Sequence, residues 1–219
     1  MSESVWDRKF TQEGRVWGDQ PSITAKTLKD VLVSRGHIYE VGFGYGRDLI
    51  YLARLGHTVS GIDHSSVGLV EAKKLLTEEN IDISGLSQGD FTKASEKLTP
   101  EKYDALISHR VLHLLTLETD IEKFVENCAI VLKSGGILVI STRDQRDFKP
   151  AKMKWTNSER TVAYYKNNKD HIINFWDEAR FRNMFSKYFD VLSLTENEER
   201  EFSDRSQRSQ ITTMVALKR

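Results

Sequence analysis

Between residues 37 and 142 the chain alternates two hydrophobic patterns. Short continuous apolar runs, "HIYEVGF", "TVSGID", "YDALISH" and "GILVIST", have the length and β-branched content of buried strands. "ISGLSQGDF" is a weaker run of the same kind. Between them lie longer stretches whose apolar residues recur every three or four positions. "RDLIYLARLG" puts Leu49, Leu52 and Ala53 on one face and ends at Gly56. "SSVGLVEAKKLLTEEN" offers Ser65 or Ser66 as N-cap, with Val67, Val70, Ala72, Leu75 and Leu76 on its apolar side. "LETDIEKFVENCAIVLKSGG" carries Ile121, Phe124, Val125 and Ala129 at helical spacing and is expected to stop at Gly135-Gly136.

Strand and helix in strict alternation, with strands apolar on both sides, predict a parallel sheet covered on both faces. After residue 142 the pattern changes. Residues 143–175 hold many charges and aromatics with little periodicity. "WDEARFRNMFSKYF" then reads as a helix, and "DVLSLTENEERE" and "ITTMVALKR" as strands joined by a polar turn. So short a connection implies an antiparallel pair at one sheet edge. The expected fold is α/β: a doubly wound, Rossmann-like, seven-stranded, mostly parallel sheet with an antiparallel C-terminal edge strand. One domain over 1–219 is expected. Its parts are an N-terminal arm or lid (1–35), a ligand-binding core (36–142), a substrate-side insertion and helix (143–180) and a C-terminal hairpin (181–219).

Composition narrows the class. Lys+Arg and Asp+Glu both number 32, so the basic excess usual in nucleic-acid binders is absent. The one cysteine, Cys128, lies among apolar helical neighbours and reads as a core residue rather than a nucleophile. No signal-peptide pattern and no 18-residue apolar run is visible, so a cytoplasmic location and no membrane partner are expected. No metal is expected, and the oligomeric state is left open.

The chemistry gathers around "GFGYG" after the first strand, where open α/β sheets bind ligands. A dinucleotide loop reads G-x-G-x-x-G, but Arg47 stands where its last glycine belongs, and Gly46 comes one residue early. No Walker Gly-Lys-Ser/Thr follows. Three carboxylates end up on the same rim: Glu40 before the loop, Asp63 at the end of the second strand and Asp90 at the end of the third. Asp63 suits paired ribose hydroxyls. Glu40 and Asp90 would repel a pyrophosphate but suit amino groups and a positive centre. A nucleoside joined to a cationic amino acid fits that rim.

"EVGFGYG", "GIDHS", "GDF" and "VLKSGGILVIS", in this order and spacing, resemble the successive motifs of class I S-adenosylmethionine-dependent methyltransferases. The resemblance covers roughly residues 36–142 and agrees with the edge hairpin. It implies that Glu40 and Gly42, Gly44 and Gly46 hold the methionine end. It implies Asp63 on the ribose with His64 beside the adenosine, Asp90 and Phe91 on the adenine, and Ser108 and His109 toward the methyl group. The expected cofactor is therefore S-adenosylmethionine, leaving as S-adenosylhomocysteine. "WDRKFTQEGRVWGDQPS" and the stretch from Gly46 to Leu75 further resemble the small-molecule branch that includes tellurite-resistance and thiopurine methyltransferases. That implies a lid built from Trp6, Phe10 and Trp17, although these aromatics would also suit simple packing of the arm.

Near the methyl group, His109 and His113 are candidate general bases and Arg110 a candidate anchor for an anionic acceptor. A solvated helix start would explain the same residues. Arg143 and Asp144, after the fifth strand, are candidate substrate contacts. Trp155, Tyr164, Tyr165, His171 and Trp176 could wall an acceptor pocket, while Arg205 and Arg208 are expected to be solvated. Three functions stay open: a small-molecule methyltransferase, a methyltransferase of RNA or protein, and a non-catalytic cofactor-binding module. "SHRV" on the fourth strand lacks the Asn/Asp-Pro-Pro-Tyr/Phe pattern of enzymes that methylate nucleic-acid amino groups.

Overall fold

The computed structural model describes residues 5–200 and 208–219. Seven strands form the main sheet: β1 (His37–Val41), β2 (Thr58–Asp63), β3 (Leu86–Gln88), β4 (Tyr103–His109), β5 (Leu132–Arg143), β9 (Phe189–Arg200) and β10 (Arg208–Lys218). Their order is β3-β2-β1-β4-β5-β10-β9. The first five are mutually parallel, and β10 runs antiparallel to both β5 and β9. The antiparallel strand therefore sits one place in from the edge, which β9 occupies. Sequence order reverses between β1 and β4, so the carboxyl ends of these two strands flank the crevice where a ligand can sit.

Helices cover both faces. Along β4, Ala105 and Ile107 point into the cluster formed with Leu28, Leu49 and Leu76, while Leu106 points the other way, toward Phe124, Val125 and Phe181. The first cluster is closed by α2 (Ile23–Val31), α3 (Arg47–Arg54) and α4 (Ser66–Glu78), and the second by α5 (Glu118–Val131) and α6 (Glu178–Phe185). Both faces being covered is why these strands carry buried residues on both sides rather than at alternate positions. Cys128 is fully buried in the second cluster. Removing a side chain as deeply placed as Phe124 costs about 3–5 kcal/mol in such a core.

Several expectations are corrected. Val70, placed on the apolar side of α4, is 69% exposed. Helix α5 ends at Val131, and Leu132 already pairs with Tyr103, so the Gly135-Gly136 pair lies inside β5 rather than stopping the helix. The segment 143–175, despite its weak periodicity, holds regular structure. It forms a second, antiparallel sheet, β6 (Met153–Trp155), β7 (Val162–Tyr165) and β8 (Asn168–Asn174), packed through Met153, Ala163, Ile173 and Phe175. The N-terminal arm holds two helices, α1 (Val5–Glu13) and α2. Arg208 is exposed, as expected, and pairs with Glu198 at 2.8 Å, while Arg205 lies outside the described residues. No helix among the described residues is long and apolar enough to cross a membrane.

Candidate active site

The glycine loop is shaped by three left-handed backbones, with φ of 81° at Gly42, 55° at Gly44 and 84° at Gly46. A Cβ on Gly42 would lie 2.2 Å from Val111 Cγ2, and one on Gly46 would lie 2.8 Å from Leu76 Cδ1. These positions therefore need glycine for both conformation and space. Gly46 is also the N-cap of α3, whose first turn brings Asp48 beside the loop.

The loop opens into a cavity of about 470 Å³ at the carboxyl ends of β1, β2, β4 and β5. Glu40, Gly42, Gly44, Asp63, His64, Asp90 and Phe91 all line it, as do Trp6, Phe10 and Trp17 from the arm. His109, Arg110, His113, Arg143 and His171 line it too. Gly46 stands behind the wall, packed on Ala72 and Leu76.

Glu40 is buried, and its Oε2 has no hydrogen-bond partner among the described residues. Burial, and then the neighbouring charge of Asp48, push this carboxyl well above the ordinary value. Asp48 itself is held by Ser22, whose N–H and hydroxyl donate to its two oxygens at 2.7 and 2.5 Å. An orphaned buried carboxylate oxygen beside a glycine cradle suits an ammonium group, and the residues present fit S-adenosylmethionine on that ground. Asp63 accepts the Gly44 N–H on Oδ2 and the Ser65 N–H on Oδ1, each at 2.7 Å. Burial raises its pKa, and those two N–H groups oppose the rise. Asp90 caps a short 3₁₀ turn through Thr92 and meets Lys93 Nζ at 2.9 Å. Phe91 packs edge-on against Phe124, with ring centroids 5.4 Å apart.

Helix α1 closes one side. Asp7 accepts from the Ser65 hydroxyl at 2.5 Å and from the Val67 N–H at 3.1 Å, at the start of α4. That carboxylate meets the positive end of a helix. Trp6, Phe10, Trp17 and Tyr45 form one aromatic cluster above the loop, and the Trp17 N–H donates to Tyr45 Oη at 3.0 Å.

At the other end the histidines differ. His109 is tied on both ring nitrogens: Nδ1 lies 2.8 Å from Thr24 Oγ1, and Nε2 lies 3.1 Å from Glu199 Oε2 without hydrogen-bond alignment. Burial would raise the Glu199 carboxyl, but the charge and contact of His109, the Ile23 N–H and Arg110 hold it well below its ordinary value. His113 is buried, with Nδ1 3.4 Å from Thr142 Oγ1. Burial, and then the charges of Arg143 and Arg110, push it well below the ordinary 6.5. It is therefore a neutral imidazole at pH 7.

Two expected contacts stand elsewhere. Ser108 is fully buried and donates to the Val41 carbonyl at 3.0 Å, clamping β4 to β1 behind the cavity wall. Asp144 is buried beside Thr212 and Arg146, where it caps a short turn. Of the five aromatic-segment residues, His171 alone lines the cavity. Trp155 stacks on Phe148 at 4.0 Å, Trp176 lies in the main core, and Tyr165 receives Arg143 Nη1 at 2.8 Å. Asp48, Lys9 and Glu199 were not singled out from sequence. Asp48 follows the loop within two residues of Gly46 and was legible in principle; Lys9 and Glu199 come from distant elements.

Residues 39–140 match the family model described as a methyltransferase domain. Over those residues the chain is similar to that family. A ubiquinone biosynthesis O-methyltransferase from Chelativorans sp. is 30% identical over 105 residues, 48% of this chain and 39% of its own length. The chain thus spans about two-fifths of that curated relative. Two solved structures share the fold. TehB from Haemophilus influenzae has TM-score 0.64 and 17% identity, covering 98% of this chain and 67% of its own. The 1,6-didemethyltoxoflavin-N1-methyltransferase of Burkholderia thailandensis, with bound S-adenosylhomocysteine, has TM-score 0.65 and 13% identity, covering 96% of this chain and 81% of its own. The Rossmann-like sheet expected from the periodicity is the fold these proteins share.

Proposed function

We propose that this protein is an S-adenosylmethionine-dependent methyltransferase acting on a small-molecule acceptor. The observation that carries the reading is the buried, unpartnered Glu40 Oε2 beside the glycine cradle, in a cavity that continues past it to Arg110, His113 and Arg143. Two of the named relatives, a ubiquinone biosynthesis O-methyltransferase and a 1,6-didemethyltoxoflavin-N1-methyltransferase, support the small-molecule choice. The 470 Å³ cavity also lies within the ordinary range for small-ligand sites.

Bound there, the sulfonium cofactor supplies an already activated methyl group. The work left to the chain is alignment and exclusion of water. Glu40 and the glycine loop hold the methionine end, Asp63 the ribose, and Phe91 and Phe124 the adenine. The arm covers them with Trp6, Phe10 and Trp17. In the tautomer that donates Nδ1–H to Thr142 Oγ1, His113 keeps its lone pair on Nε2 and can take a proton from a neutral acceptor. His109, anchored by Thr24 and Glu199, positions the end of β4.

The test is S-adenosylhomocysteine release over a panel of thiols, phenols, amines and oxyanions. Calorimetric titration with S-adenosylmethionine and with NAD runs in parallel. Turnover of a small acceptor and binding of the sulfonium cofactor are expected. Binding of NAD in its place would overturn the assignment, and cofactor binding with no turnover by any small acceptor would transfer it to the other two readings.

A further inference from the structure

The charges lining the cavity are segregated. Its glycine-loop end is acidic, with Glu40, Asp48, Asp63 and Asp90. Arg47, among the lining residues there, lies 3.7 Å from Asp48 and donates to the Trp17 carbonyl, and Lys93 pairs with Asp90 at 2.9 Å from outside the wall. The opposite end is basic. It receives Lys9 from α1, Arg110 from the end of β4, Arg143 from the end of β5 and His171 from β8. These four come from separate elements, yet they share one neighbourhood: the His113 ring feels Arg143, Arg110 and His171, and His171 in turn feels Arg143 and Lys9.

Arg143 is the built part of this end. Its side chain is only 11% exposed. Nη1 donates to Tyr165 Oη at 2.8 Å, and the Tyr165 ring stacks on His171 at 4.6 Å. The insertion sheet therefore fixes the guanidinium in place. Behind it, Asp147 Oδ2 lies 3.3 Å from Nε, but the two are not aligned for a hydrogen bond. Burial pushes the Asp147 carboxyl up, against the pull of Arg143. Trp6, whose ring lies 5.5 Å from Lys9 Nζ, and Val111 and Leu114 add apolar surface beside the cations.

Resting on the methyltransferase reading above, we propose that the acceptor is a flat, largely apolar molecule carrying a carboxylate remote from its methyl-accepting atom, and that Arg143 is the residue that binds this carboxylate. Planar bidentate recognition is what a fixed guanidinium does best. Lys9 lies on α1, packed over the site, and adds its charge there. The anionic group would draw the acceptor to the basic end and leave its reacting atom toward the middle of the cavity, between the two charge domains.

The test uses 2-naphthoate and its neutral isostere 2-naphthamide as probes, titrated calorimetrically into protein saturated with S-adenosylhomocysteine. The naphthoate is expected to bind about tenfold tighter or more, the difference between a charge-assisted and a neutral hydrogen bond. Arg143→Met should abolish that preference while S-adenosylhomocysteine affinity stays within about twofold. If that variant does not fold, as judged by loss of S-adenosylhomocysteine binding, Arg143→Met/Asp147→Asn removes both members of the buried pair and serves instead. Equal affinities, no binding of either probe, or a preference that survives loss of Arg143 would each overturn the proposal with the methyltransferase reading intact. Failure of the wild-type protein to bind S-adenosylhomocysteine would overturn both.

Discussion

Asp63 Oδ2 accepts the backbone N–H of Gly44 at 2.7 Å, so the last residue of β2 holds the glycine loop after β1 in shape. The other oxygen takes the Ser65 N–H at the start of α4. One carboxylate thus ties together the three backbone segments that frame the cofactor end of the cavity. Its remaining lone pairs are what ribose hydroxyls would meet.

Asp63→Asn keeps the shape but cannot accept from both sides, because one amide edge now carries N–H donors. One buried N–H loses its partner, a cost of about 1–3 kcal/mol. Relief of the burial strain on the charged form offsets part of this, since the native carboxyl is raised. A melting-temperature drop of roughly 2–6 °C is expected. S-adenosylhomocysteine affinity should fall roughly tenfold or more. Calorimetry showing native affinity would mean that Asp63 shapes the loop without touching the ribose.

Glu40 leads to a proton-linkage prediction. Its folded-state carboxyl is raised well above 4.5, so in the ligand-free protein it tends to hold a proton. Its contribution to stability is complete below the unfolded value near 4.5 and is lost as pH rises through the higher folded value. An ammonium placed against Oε2 favours the ionised form. Cofactor binding should therefore release up to about one proton at pH values below the raised folded value. Titration in buffers of different ionisation enthalpy measures this directly. Glu40→Gln should abolish the release, weaken binding and leave the ligand-free protein at least as stable at neutral pH. Proton release of the same size in the variant would assign it to another group.

Gly42→Ala combines a φ of 81° with a 2.2 Å overlap on Val111 Cγ2. The left-handed backbone alone costs about 1–2 kcal/mol. The overlap displaces Val111, whose neighbour Arg110 is itself left-handed, at φ 59°. Loss of cofactor binding is expected. Val111→Ala removes the overlap but not the backbone strain, so the double variant should recover part of the stability and affinity. A double-mutant cycle with no coupling between 42 and 111 would refute this account.

The main sheet was legible because its evidence is local. Apolar runs such as "ALIS" and helix faces such as Ile121, Phe124 and Val125 record burial directly in their spacing. The glycine loop and Asp63 were legible because a sharp turn and a strand end force particular residue types at fixed positions. The insertion sheet was not. Its strands are three to seven residues long, their exposed positions are polar, and their burial arises from Met153, Ala163 and Ile173 meeting Phe148, Trp155 and Phe175. The same holds for Glu199 beside His109 and for Asp7 beneath Ser65. Those contacts join segments 90 and 58 residues apart, and nothing in either segment alone announces its partner. Ser108 and Asp144 mislead for the converse reason: a strand end at the rim can turn its side chain inward to satisfy a carbonyl or cap a turn.

His113 leads to a kinetic prediction that separates proton transfer from positioning. Its imidazole is neutral well below pH 6.5, so a base role would keep kcat/KM level into mildly acid solution, where an ordinary histidine would already have protonated. His113→Gln preserves the size and one polar contact to Thr142 but cannot accept and carry a proton. With a neutral phenol or thiol acceptor, kcat should fall roughly 10²-fold or more, with the KM for S-adenosylmethionine unchanged. With an acceptor whose reacting atom is already ionised at the assay pH, the same variant should lose little. Equal losses on both acceptors would show that His113 only shapes the pocket. A wild-type profile that falls with an apparent pKa near 6.5 would show that its folded environment does not hold it neutral.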